Sequence, residues 1–379
     1  MIDLASAREN FEGSADFTVG IEEEYALVDP RTLLLVPRFE LLRDAAASDP
    51  VLAASIAGEL ISSEIEIRSG AGSDVEDARS RQAEARRRLF ALAAEHDVGL
   101  GATGTHALSD YREQHIIDTE HYHRVEDGLK YVAWRNNTFS VHVHVGVHGP
   151  DRAVRVCDRL RPILPLLLAV SANSPYIDGR DSGLHSGRSQ TFTKSFPRCG
   201  IPDVFGSWQA WADYVGLLVR TGSIVEFTQL WWSVRPHHDF GTVEVRICDA
   251  QTTAAEADGI AALIVACVRR AAAEIDAGET PPDLPGRLIE ENMWRAIRHG
   301  LDGRLLDLEA ERVEEFAAAE TLERLNAWAG ADVELPELNG AQRQRRMIED
   351  GATPAEVYGA CLAETRTTYF VEETCDEPA

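Results

Sequence analysis

Four short segments of this 379-residue chain alternate charged and aliphatic residues with a period of two. Successive side chains of a β-strand point to opposite faces, so this spacing translates directly into geometry. Glu22 and Glu24 share one face, with Ile21 and Tyr25 on the other. Glu64, Glu66 and Arg68 lie opposite Ile65 and Ile67, and His142 and His144 lie opposite Val141, Val143 and Val145. Glu244 and Arg246 lie opposite Val243, Val245 and Ile247. An ordinary wetted sheet face would mix in Lys, Thr, Ser and Gln, whereas this one is dominated by Glu, His and Arg. The pattern predicts a sheet with one aliphatic face on a core and one face set aside for chemistry.

The strand-like segments are Phe17–Val28, Glu59–Arg68, Thr138–Val147, Ile224–Val234 and Thr242–Asp249, each rich in β-branched or aromatic residues. Capping signals predict helices starting at Ser73 and running to about His96, and starting at Thr253 and running to about Gly278. A third helix is predicted to start at Thr353 with Pro354 in its first position, and a fourth runs from about Arg152 to Ala172. The strands come in groups and do not alternate strictly with helices. That predicts an α+β fold with a largely antiparallel curved sheet and helices packed on its outer face. The whole chain, 1–379, reads as one catalytic unit. Its motifs and core sheet fall within 17–272, and accessory C-terminal helices fill 281–379.

Lys and Arg total 37 against 63 Asp and Glu, a formal charge of −26. Such a chain repels nucleic acid and anionic membranes but attracts divalent cations. The six cysteines, Cys157, Cys199, Cys248, Cys267, Cys361 and Cys375, are scattered and fit reduced thiols. The N-terminal residues show no basic and apolar signal pattern, and no apolar run is long enough to span a bilayer. A cytoplasmic protein is expected, and a homodimer by base rate.

Glu22, Glu24, Glu66 and Glu244 would repel one another without a cation, and hard divalent ions favour carboxylate oxygens. Magnesium is expected, with manganese as the alternative. The His-x-His pair is also compatible with zinc, or with histidines satisfied by hydrogen bonds. Arg68 and Arg246 can grip phosphate or carboxylate through paired N–H groups. No P-loop and no Rossmann glycine motif is present, so a nucleotide would be held through metal and arginine. The segment Gly183–Arg198 carries Arg188, Lys194 and Arg198 in an acidic chain, and is read as a basic loop able to close over phosphates, or else as an ordinary surface loop. Cys248 falls on the charged face and is read as a packing residue.

Six motifs make the chain resemble the glutamate–cysteine ligase type 2 family of bacterial carboxylate–amine ligases. They are GIEEEY (Gly20–Tyr25), EIEIR (Glu64–Arg68), HVHVG (His142–Gly146), ANSP (Ala172–Pro175), WWSVRP (Trp231–Pro236) and TVEVRICDAQ (Thr242–Gln251). The resemblance implies a glutamine-synthetase-like catalytic sheet holding ATP and magnesium. It implies an ATP-dependent joining of a carboxylate, usually the glutamate side chain, to an amine, usually that of cysteine. By matching positions, Glu22, Glu24, Glu66, Glu244 and His142 are implied as metal ligands. His144 faces phosphate or substrate, Arg246 steadies the transferring phosphate, and Arg235 meets a substrate carboxylate. Glu64 and Arg68 stand where many relatives carry glutamine and a threonine or serine, and are assigned to substrate binding.

Three other readings share these residues. A metal-dependent hydrolase would use the same Glu and His cluster on water. Another ATP-dependent enzyme on the same sheet would differ in acceptor. A metal- or amino-acid-binding protein would show no turnover.

Overall fold

The computed structural model describes residues 3–281 and 283–370. Cys375 lies outside them. Seven of the described strands form one open sheet: β1 (Val19–Val28), β2 (Ile56–Ala57), β3 (Glu64–Arg68), β4 (Gly99–Gly101), β5 (Val141–Gly146), β6 (Val234–His237) and β7 (Thr242–Val245). Their order is β2-β3-β1-β5-β7-β6, with β4 beside the end of β1, and every pairing is antiparallel. The helices that matter here are α1 (Val75–Glu95), α2 (Pro150–Leu160), α3 (Leu164–Ser171), α4 (Gly187–Thr191), α5 (Ala254–Asp276), α6 (Gly286–His299) and α7 (Pro354–Tyr369).

The aliphatic face of the sheet is the core. Ile21, Ile65, Ile67, Val141, Val143, Val145, Val243 and Val245 are all buried there against apolar residues of α1, α2 and α5. The caps at Thr253 and Thr353 form as expected, each side-chain oxygen accepting from the amide three residues on. At α1 the cap is Asp74 and not Ser73, since the Asp74 carboxylate accepts from the Asp77 amide. The helix expected from Arg152 to Ala172 divides at a 3-10 turn, Arg161–Ile163, because Pro162 lacks the N–H an α-helix interior needs.

Two other expectations change. Within Ile224–Val234 only Val234 is in a strand, and a 3-10 turn occupies Phe227–Gln229. The buried residues Ile224, Phe227 and Leu230 recur every third position, a helical spacing. Glu226 and Gln229 cap the turn reciprocally. The C-terminal region is also not all helix: Arg304–Asp307 and Glu314–Ala317 form a hairpin that places buried Leu305 opposite buried Phe316.

The one charge on the aliphatic face is Glu23. Arg86 of α1 donates to both its oxygens, at 2.7 and 2.9 Å, and Gln82 donates at 2.7 Å. Tyr25 donates to it at 3.0 Å, and Tyr369 of α7 lies at 3.4 Å while donating at 2.8 Å to the Gln251 carbonyl. Arg86 also meets Asp258 of α5 at 2.9 Å. A strand and three helices thus converge on one buried carboxylate, and α7 is part of the core. Close packing of α7 needs Gly101, where a Cβ would lie 2.5 Å from the Tyr358 hydroxyl. Replacing Arg86 with Leu leaves Glu23 buried and uncompensated, so urea denaturation is expected to show a loss of about 3–5 kcal/mol. The Glu23→Leu/Arg86→Leu pair should recover much of it.

Candidate functional site

Register brings the charged residues together in rows. Glu22 of β1 sits between Arg68 of β3 and His142 of β5, Glu24 pairs with Glu66, and His144 pairs with Glu244, which pairs with Arg235 of β6. All face a cavity of about 300 Å³ on the side of the sheet away from the core. Its rim is aromatic. Phe192, Phe196 and Trp231 form one wall, with centroid spacings of 4.5 and 5.3 Å. Phe240 closes the other, 4.4 Å from His237 and 5.4 Å from His144.

The contacts inside are dense. His142 Nδ1 lies 3.2 Å from Glu22 Oε2, and Ser140 donates to Glu24 at 2.6 Å while its hydroxyl touches His142 Nε2 at 2.8 Å. Arg235 Nε donates to Glu244 Oε2 at 2.6 Å, and Arg246 Nη1 forms a short contact with the other oxygen. Arg68 pairs with Glu66 and lies 3.6 Å from Glu22. Three sets of donor atoms each lie within 4.8 Å of one another: Glu22, Glu66 and His142; Glu22, His144 and Glu244; and Glu24, Glu59 and Glu66. The cavity also gathers buried polar atoms without a hydrogen-bond partner, among them Glu64 Oε2, His144 Nε2, Arg188 Nε and Arg246 Nε. Carboxylate and imidazole donors at this density fit magnesium or manganese.

The electrostatics split the carboxylates into two kinds. Burial pushes Glu22 up, but the imidazoles of His144 and His142 outweigh it and hold the carboxyl well below its usual range. Burial is likewise outweighed at Glu244, by Arg235 and Arg246. At Glu64 and Glu66 burial wins, and neighbouring carboxylates add to it, so both rise well above the usual range. Burial and then Glu24 push Glu59 up to about 7. Burial and then Arg246 lower His142, which favours the neutral form of its imidazole.

Residues 18–367 match the sequence profile of glutamate–cysteine ligase family 2 (GCS2). The chain belongs to this family. A protein of Rubrobacter xylanophilus provisionally named glutamate–cysteine ligase 2-2 is 38% identical over 84% of this chain and 85% of its own. One of Sorangium cellulosum, provisionally named glutamate–cysteine ligase 2, is 38% identical over 95% and 96%. Two solved structures share the fold. A bifunctional glutathione synthetase from Pasteurella multocida has a TM-score of 0.69 at 13% identity, covering 97% of this chain and 54% of that one. The glutamate–cysteine ligase of Francisella tularensis, solved with AMP, has a TM-score of 0.64 at 12% identity, covering 95% and 91%. The fold is the glutamine-synthetase-like type expected from the sequence.

In this family member the cavity gathers Glu22, Glu24, Glu64, Glu66, His142, His144, Arg68, Arg235, Glu244 and Arg246, together with Arg188. In the basic loop, Arg188 is fully buried on α4, and its two terminal nitrogens donate at 3.0 Å to the carbonyls of Ile247 and Arg246. Lys194 pairs with Glu290 of α6, and Arg198 donates at 3.1 Å to the Gln229 carbonyl. Of the three cations Arg188 lines the cavity, while Lys194 and Arg198 do not. Cys248 turns into the core, where burial pushes its thiol up to about 12. Glu59 and His237 line the cavity but escaped the alternation rule. Glu59 precedes the turn at Ser62 and Ser63, so counting back by twos from Glu64 misplaces it. His237 shares a face with Arg235, two residues earlier, but lies beyond the strand expected to end at Val234.

Asp249 ties the ANSP segment to TVEVRICDAQ. Its carboxylate accepts from the Asn173 amide at 2.8 Å, Ser174 Oγ at 2.6 Å and Ser186 Oγ at 2.9 Å. It thereby fastens the end of α3 and the start of α4 to the strand carrying Glu244.

Glu59 gives a signed pH dependence. Its raised folded value means that its contribution to stability is full below about 4.5 and is lost as pH rises through about 7. In chelator-treated protein, Glu59→Gln should therefore gain on wild type in urea midpoint as pH rises from about 4.5 to about 7.5. Parallel midpoint curves for the two proteins would contradict the assignment.

Proposed function

We propose that the protein is an ATP-dependent ligase that joins a carboxylate, the side chain of glutamate, to an amine through an acyl-phosphate intermediate. The observation that carries this is the interleaving of three ion-holding donor sets with Arg68, Arg235 and Arg246 in one cavity. Family membership and the provisional ligase names of the relatives point the same way.

A carboxylate is a poor electrophile, and γ-phosphoryl transfer from ATP makes it attackable by an amine. That task is positioning and charge neutralisation, which needs no protein nucleophile. Magnesium, or manganese, would be held by Glu22, Glu24, Glu59, Glu66, Glu244 and His142, and supplies charge neutralisation at phosphate oxygens. His144 Nε2 lies 3.3 Å from Glu22 and 3.9 Å from Glu244, so it serves either the same ion or the phosphate. Arg246 Nε, buried and without a partner, is a donor reserved for the transferring phosphoryl group. Arg235 is committed to Glu244 and to the Leu230 carbonyl, which suits it to orienting Glu244 better than to holding substrate. Arg68, 45% exposed at the cavity mouth, is the arginine best placed to meet an incoming substrate carboxylate. Trp231, Phe196 and Phe192 offer flat apolar surface for a base or an alkyl chain.

ADP release should require ATP, Mg²⁺, glutamate and an amine together, with the amide product identified by mass. Glu66→Gln should keep its circular dichroism and lose about 10²–10³ in rate. Near-normal turnover in that variant, or ADP release with no acid and amine present, would remove this reading.

A further inference from the structure

Glu64 is the carboxylate of the cavity that the reaction as described leaves without a task. It is 1% exposed, lines the cavity and belongs to none of the three ion-holding donor sets. Among the described residues its Oε2 has no hydrogen-bond partner. An unsatisfied buried acceptor costs free energy. Arg188 also lines the cavity, but its terminal nitrogens donate to the carbonyls of Ile247 and Arg246 and it makes no hydrogen bond to Glu64 Oε2. Glu24, Glu59 and Glu66 all act on it as like charges.

Glu64 thus lies among carboxylates of the cavity with a buried oxygen left unpaired. At the other end of β3, four residues or roughly 13 Å away, Arg68 faces solvent. Arg246, whose Nε is free to meet phosphate, lies with Arg235 around Glu244 on the far side of β1 and β5. The cavity is polarised, with phosphate-compatible groups toward β6 and β7 and an unmatched acid at β3. An ammonium donor placed at Glu64 satisfies the orphan oxygen with a charge-assisted hydrogen bond.

The geometry points to Glu64 as the receptor for a substrate ammonium group, distinct from the nitrogen that forms the new amide. Two sources carry that chemistry. One is the α-ammonium of the donor amino acid. The other is a second protonated nitrogen on the acceptor, as in a diaminoalkane. The assignment deepens the ligase reading and rests on it, and a binding measurement separates the two.

Calorimetry on the full chain, with Mg²⁺ and a non-hydrolysable ATP analogue, should compare glutamate with glutarate, and 1,4-diaminobutane with butylamine. Wild type is expected to favour the ammonium-bearing member of one pair, and Glu64→Gln to erase that preference by weakening that ligand by roughly 10- to 100-fold. Loss confined to the glutamate–glutarate pair places the donor's α-ammonium at Glu64, and loss confined to the amine pair places the acceptor's second nitrogen there. Glu64→Asp, which keeps the charge, should recover part of the affinity, a result that a merely structural role would not give. Equal binding within both pairs in wild type, or a preference that survives in a folded Glu64→Gln protein, would overturn the assignment. A preference lost in Glu64→Gln without any ADP formation in wild type would keep the subsite and reject the ligase.

Discussion

The structure is organised around mutual repulsion. Glu22, Glu24, Glu59, Glu64, Glu66 and Glu244 share one cavity on one face of one sheet. Two carboxylates about 4 Å apart repel by about 4 kcal/mol at an effective dielectric of about 20. Such a cluster survives in a folded chain only if cations are interleaved with it, if some members hold a proton, and if the scaffold cannot relax away. Arg68, Arg235 and Arg246 meet the first condition. The raised values of Glu59, Glu64 and Glu66 meet the second.

The third condition is met from behind. Glu22 and Glu24 cannot splay because Glu23, between them in sequence, is tied on the opposite face to α1 and α7. The same pleat that points two carboxylates at the cavity points the third at Arg86. Glu244 is fixed by a second buried hub, Asp249, which binds the strand to the loops that follow α3. Each hub sits one to five residues from the acid it steadies. Their hydrogen bonds run inward, so ligand traffic at the mouth does not compete with them.

The rows of the site were legible in the sequence because β1, β3, β5 and β7 obey period two without interruption. Glu22, Glu24, Glu66, His142, His144 and Glu244 were found by counting alone. Counting failed where backbone geometry changes, at the turn before Glu64 that reverses the parity of Glu59. It failed also at Ile224–Leu230, where apolar spacing of three marked a 3-10 turn inside a β-rich composition. Glu23 was hidden by its own neighbours, since a run of three acids does not announce that the middle one is a core residue. The partners of the loop Gly183–Arg198 were not legible because a cation's role depends on residues distant in sequence. Arg188 finds carbonyls 58 and 59 residues on, and Lys194 finds an acid 96 residues on.

The pairing of Glu244 has a chemical consequence. In the ligand-free protein one carboxylate holds both Arg235 and Arg246. It is also one of the donors of an ion-holding set with Glu22 and His144. A single carboxylate cannot give its full charge to two guanidinium groups and a divalent ion at once. Arg235 has the Leu230 carbonyl as a second anchor, whereas Arg246 retains a buried nitrogen with no partner at all. On the proposed reading, an ion that took part of the charge of Glu244 would leave Arg246 seeking an anion. Ion and phosphate binding would then be coupled through one side chain.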